Sequence, residues 1–238
     1  INQLEEAFAE EGTENVTLRL SEDYVLTRTV TVPAGKMLHI TAADEQSVSF
    51  TIDVDGKLVA AAYEENSGSG RLQSEVPVTV KGTLSVGQSA AAVFDSDLTV
   101  DTFGCVVNDG NISVGGTLTV NGTLTATGNA SGKQTDGLDN SNNGTVTING
   151  TLTASGGQFS VYNYGTLNLS GTVNATKNVF LGTGRTITVV GELDDATSIP
   201  IQTAATPEAG SPVTIATTEN ADWIKEGSFV SWTPGKYA

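Results

Sequence analysis

From Gly116 to Thr176 the chain writes one phrase three times: GTLTVNGTLTA, GTVTINGTLTA and GTLNLSGTVNA. Within a copy, Leu118, Val120, Leu124 and Ala126 share one parity, and Thr117, Thr119, Thr123 and Thr125 share the other. Period-2 alternation of this kind predicts short strands with one buried and one wet face. Asn121-Gly122 interrupts the run after four residues, and glycine suits a sharp corner where a side chain would crowd the core. Each phrase therefore predicts strand, corner, strand.

The spacing selects the architecture. The first inward residue of successive phrases is taken as Val30, Ile52, Val78, Leu98, Leu118, Val146, Leu167 and Ile187, in steps of 20 to 28 residues. Self-similarity at that period signals a solenoid. Hairpins would turn every eight to twelve residues or so, and a leucine-rich repeat would carry its own signature and a helical element. The expectation is all-β: a parallel β-helix with about three short strands per turn, its rungs stacked at roughly 4.8 Å to a height on the order of 34 Å.

The ends depart from the phrase. Residues 1–14 predict a capping helix: Asn2 stands three before Glu5, Leu4, Ala7 and Phe8 line one face, and Gly12 follows as a stop. Residues 15–190 predict the coils, opening with the alternation of Val16, Leu18 and Leu20 and turning at Pro33-Ala34-Gly35. Residues 191–238, with Pro200, Pro207, Pro212 and both tryptophans, predict a C-terminal coil and cap within the same domain. Two long inserts, 61–75 and 127–143, are expected as loops outside the rungs.

Composition narrows the partners. The 238 residues carry a net charge of −16 and only 6% aromatics. An acidic surface repels phosphate backbones and anionic lipid, so nucleic acid and membrane surfaces are poor partners. No run of about eighteen apolar residues predicts a bilayer span. No signal peptide is visible, and the abrupt start at Ile1-Asn2-Gln3 reads as a trimmed chain that could have lost one. Cys105, the one cysteine, reads as an inward-facing structural thiol beside Val107. His39, the one histidine, reads as an exposed rung position with no metal role. The several N-x-S/T matches follow from the repeat phrase.

Candidate chemistry is sparse. Aligned corners put Asp55, Lys81, Asp101, Asn121, Asn149 and Ser170 in one column, read as an edge ladder rather than a cation site because Lys81 separates the acids. If both inserts leave on one flank, Tyr63, Glu64, Glu65 and Arg71 share a side with Lys133, Asp136 and Asp139. Tyr162 and Tyr164 offer aromatic faces for stacking on sugar rings, or a packed coil edge. The candidate binding set is thus Tyr63, Arg71, Lys133, Asp136, Asp139, Tyr162 and Tyr164, with no catalytic or metal residue assigned and Ca²⁺ at Asp136 and Asp139 as a further option.

Three stretches carry a family resemblance. NVTLRL…TVTVPAGKMLHI, GTLTVNGTLTATGNASG and NVFLGTGRTITVVGELDDATSIPIQTAATPEAGSPVTIAT together resemble the right-handed parallel β-helix (pectin-lyase-like) segments of large surface proteins from gut Firmicutes. The resemblance implies an extracellular or wall-anchored location and a stalk or adhesin-like role. No catalytic motif comes with it. The expected function is a monomeric, non-catalytic surface module contacting carbohydrate or a host surface protein. The competing expectation is a polysaccharide lyase or glycoside hydrolase, since fold does not fix function. A hydrolase would need acids close together on neighbouring rungs, whereas the column assigned to Asp53 continues as Thr79, Thr99, Thr119, Thr147, Asn168 and Thr188.

Overall fold

The computed structural model describes residues 2–10, 12–43, 46–62, 68–127, 137–140, 144–156, 158–195, 197–205 and 213–231. Among these, one α-helix (Asn2–Ala9) and one short 3-10 helix (Ala221–Trp223) accompany strands throughout. Every strand pairing among the described residues is parallel, and each strand pairs with strands of neighbouring coils. The result is a solenoid-like stack with three faces. No helix among the described residues is long and apolar enough to cross a membrane.

The first face holds two five-stranded sheets, one from Asn15–Leu20 to Asn111–Val114 and one from Leu138–Asn140 to Phe229–Ser231. The second and third faces form one sheet of 15 strands, because the long strand Thr166–Ala175 passes around their shared corner. On the second face, Phe50, Val78, Leu98, Leu118, Val146, Leu167 and Ile187 stand in register, followed by Ala216. The last six of the expected column are therefore correct and the first two are displaced. Val30 lies on the third face opposite Leu58, and Ile52 is opposite Val80. The opening coils carry two alternating apolar phrases only two residues apart, Tyr24–Leu26 and Thr29–Val32, and parity alone does not say which face each one takes.

Inward parity is buried along nearly the whole stack. Val32, Ile40, Ile52, Val80, Leu84, Phe94, Val100, Val120, Ile148 and Leu181 are fully buried in one continuous core. Each such side chain contributes about 1.5–3 kcal/mol on leaving water. The helix Asn2–Ala9 is shorter than expected but acts as the expected lid: Leu4 and Phe8 are buried against the core and Ala7 packs beside them. At the other end, Asn220 caps the 3-10 helix through Asp222 N, and Trp223 and Ile224 pack partly buried on the core.

The corner between the second and third faces explains the recurring glycine. Gly56, Gly82, Gly104, Gly122, Gly150 and Gly171 occupy it coil after coil, and only Gly171 among them has a positive φ, +73°. The demand is for space. A Cβ on Gly122 would drive into the carbonyl oxygens of Asp101 and Gly104, and one on Gly150 into those of Gly122 and Asn121. Those oxygens accept the ladder bonds that join the coils: Thr123 N donates to Gly104 O at 3.0 Å and Thr151 N to Gly122 O at 2.8 Å. The obstruction is the coil below rather than the core.

The same corner corrects Cys105. Aligned on the glycines, Cys105 falls in register with Thr83 and Thr123, so it and Val107 face outward, half-buried, while Val106 and Asn108 are buried. The run Cys105-Val106-Val107 is apolar on both parities, which is why alternation misassigned it.

Gly122→Ala is expected to destabilise the fold by about 1–3 kcal/mol through overpacking. Thr119→Ala, on the outward face of the adjoining strand, should stay within about 0.5 kcal/mol of the parent. Urea unfolding followed by circular dichroism measures both, and equal stabilities would remove the steric account of the corner.

Candidate functional site

Of the candidate residues, Tyr63, Lys133 and Asp136 lie outside the described residues, as do Glu64 and Glu65. Arg71, Asp139 and Tyr162 are strand residues, and Tyr164 sits at the bend that follows strand Val161–Asn163. Arg71 opens strand Arg71–Ser74 and Asp139 lies within Leu138–Asn140, so both stretches expected as inserts contain a first-face strand. Both inserts leave from the third face, at Ala60 and Ala126, and return to the first, which puts their anchors on one corner of the coil. Arg71 and Asp139 nevertheless belong to different sheets of that face.

Tyr162 is the centre of an aromatic cluster. It stands in register with Asp139 on one side and Phe180 on the other, and Phe180 continues to Gln202. The Tyr162 and Phe180 rings are nearly parallel, 5.2 Å between centroids at 11°. Phe159, buried, lies 4.9 Å from Phe180, and Tyr164 lies 5.1 Å from Tyr162. Tyr164 lies over Gly182, where a Cβ would meet its ring carbons. Phe159 and Phe180 were not legible as members. Phe180 follows Tyr162 by a shorter step than the coils before it, and only the alignment of Val161 with Val179 reveals the register.

Behind this surface the core turns polar. Asn140 Nδ2 donates to Asn163 Oδ1 at 2.8 Å and to Thr166 O at 3.0 Å. Asn163 is fully buried and in register with Leu181 on the next coil, so the inward amide ladder ends against a hydrocarbon and its Nδ2 has no partner. Two cavities of about 10 Å³ lie where Asn111–Val114 faces Leu138–Asn140. Each has room for roughly one water and for no larger ligand.

A second polar group sits lower on the first face. His39 Nε2 is 3.0 Å from Glu75 Oε1, and Thr41 Oγ1 donates to Glu75 Oε2 at 2.5 Å. Gln73 Nε2 donates to Asp95 Oδ2 at 2.9 Å. Glu75 N bonds Ile40 O and Asp95 N bonds Ser74 O, so the two carboxylates stand on adjacent coils. The Thr41 hydroxyl bond, followed by that from His39, holds the Glu75 carboxyl below the usual carboxylate range. The Thr41 hydroxyl is taken up by the carboxylate, which is not the hydroxyl-to-imidazole pairing of an activated nucleophile. His39 is outward as expected, but Glu75 went unseen because it closes a stretch read as an insert.

The corner column is corrected by one member. Asp53, not Asp55, aligns with Lys81, because Ile52 pairs with Val80. The upper part is a ladder of amides and a hydroxyl: Asn149 Nδ2 donates to Asn121 Oδ1 at 2.9 Å, and Ser170 Oγ to Asn149 Oδ1 at 3.1 Å. Asp53 likewise leaves the threonine column, where Thr51 takes its place opposite Thr79. Among the described residues, no three His, Cys, Asp or Glu side chains converge as a metal site would require.

The Glu75 contacts yield a pH prediction. Its carboxyl is expected to titrate below that of glutamate in an unfolded peptide. Its contribution to stability is then present above the unfolded-state pKa and lost as pH falls through the folded one. Carboxylate NMR titration should show Thr41→Val returning it toward the ordinary value, with His39→Gln doing so to a smaller degree. An unshifted Glu75 in the parent protein would contradict the hydrogen-bonded geometry.

Compared with known proteins, the chain matches no family model, no curated protein and no solved structure.

Proposed function

We propose that this chain is a non-catalytic module of a cell surface, a stalk or adhesin-like spacer built as a right-handed parallel β-helix of the pectin-lyase-like kind. Right-handed crossovers are the rule for parallel strands in one sheet. The observation that carries the reading is the outward column of the second face: Thr51, Thr79, Thr99, Thr119, Thr147, Asn168, Thr188 and Thr217, one per coil. A uniform wall of short hydroxyls and an amide is hydrated and uncharged at any physiological pH. It suits a rod that holds something at a distance. The net charge of −16 favours solubility of such a rod. The extracellular assignment follows the resemblance to Firmicutes surface proteins, and the partners in view are carbohydrate and host surface protein.

One observation favours a second reading, a glycoside hydrolase. Glu75 and Asp95 stand on adjacent coils with His39 and Gln73 beside them, and glycosidases use paired carboxylates. Glu75 is already engaged by two donors, which suits a structural ladder.

Incubation of the protein with pectin-type and mucin-type glycans decides between them. The spacer reading expects no new reducing ends and no unsaturated products. Product formation that disappears in Glu75→Gln or Asp95→Asn would replace it with the hydrolase.

A further inference from the structure

We propose that the aromatic column on the upper first face is a recognition site for neutral carbohydrate, formed by Tyr162, Tyr164 and Phe180 between Asp139 below and Gln202 above. The inference rests on the surface-module reading and gives it a ligand class and a place.

The argument begins with the ring geometry. Aromatic planes in contact sit about 3.5 Å apart, so two near-parallel rings with centroids at 5.2 Å are slid past one another by roughly 4 Å. Tyr162 and Phe180 therefore overlap only in part and form a step. Both are half-buried. Tyr164 is held differently: one side of its ring rests on the backbone at Gly182, where no side chain could fit. Phe159, buried beneath, is stacked on Tyr162 at 5.5 Å and 26°. The rings are thus fixed before any ligand arrives, which lowers the ordering cost of binding.

The polar groups set the ligand class. Asp139 is exposed and offers two acceptors at one end of the column. Gln202 stands in register with Phe180 at the other, its side-chain oxygen taken by Asn178 Nδ2. A pyranose presents an apolar C–H face to a ring and hydroxyls around its rim, and this arrangement meets both. The charge selects among sugars. A carboxylate at the foot of the column, on a chain of net charge −16, repels uronates and sulfated glycans. A neutral chain lying along the stack axis would pass from Asp139 over Tyr162 and Phe180 toward Gln202.

Calorimetric titration of the full chain with neutral β-linked gluco-, xylo- and manno-oligosaccharides, and with oligogalacturonate, tests the proposal. Binding of at least one neutral series is expected, with oligogalacturonate weaker. Tyr162→Ala should weaken binding on the order of tenfold. Phe180→Leu keeps the apolar volume and should still weaken it, with circular dichroism and Tm checking the fold. Thr99→Ala, on another face, should bind like the parent. Parent-like affinity in a folded Phe180→Leu, tighter binding of oligogalacturonate, or no binding of any neutral series would each overturn the site. None of these touches the spacer reading, which falls only on glycan cleavage.

Discussion

The parallel backbone ladder between successive coils is the constraint on which the molecule depends. Each coil must close on itself and leave its amides and carbonyls aimed at the coils above and below. Buried backbone polar groups left unpaired would cost more than the fold can spare. Stacking at about 4.8 Å leaves little room at a corner, and the column from Gly56 to Gly171 supplies it by having no Cβ. The ladder is continued by side chains where the backbone turns. Asp23 Oδ1 accepts from Ser49 N, and Asp97 Oδ1 accepts from Thr117 N at the entry to the second face.

The constraint also governs the surface. Register repeats down each face, so an outward residue stands beside its counterpart on the next coil, and chemistry comes in columns. Thr51 to Thr217 make a hydroxyl column, Asn121 to Ser170 an amide and hydroxyl column, and Tyr162 with Phe180 an aromatic one. A column of one residue type stabilises neighbouring coils through side-chain contact and presents a repeated group to solvent. Both consequences follow from one arrangement, so the carbohydrate platform proposed above is made of rungs of the ladder itself.

The middle of the chain was the most legible part. From Gly116 to Ala175 the phrase is clean, and Leu118, Val146 and Leu167 pair as their parity requires. Legibility failed where alternation is degenerate. Tyr24–Leu26 and Thr29–Val32 look alike in sequence yet occupy different faces, and Cys105-Val106-Val107 is apolar on both sides. It also failed where a polar strand hides in a polar insert. Arg71–Ser74 and Leu138–Asn140 contain too few apolar residues to announce themselves, so Glu75 was hidden and Asp139 was not legible as part of a rung. Tyr162, Tyr164 and Asp139 were found as residues but not as neighbours of Phe180, because contact between coils is set by loop length and not by local pattern.

Spin-label distances along the threonine column test the stack most directly. Labels at Thr51 and Thr217 span seven coil steps, and labels at Thr99 and Thr188 span four. The account predicts separations of about 34 Å and about 19 Å, growing linearly with the number of coils. Separations that fail to scale with coil number, as antiparallel hairpins would give, would contradict it.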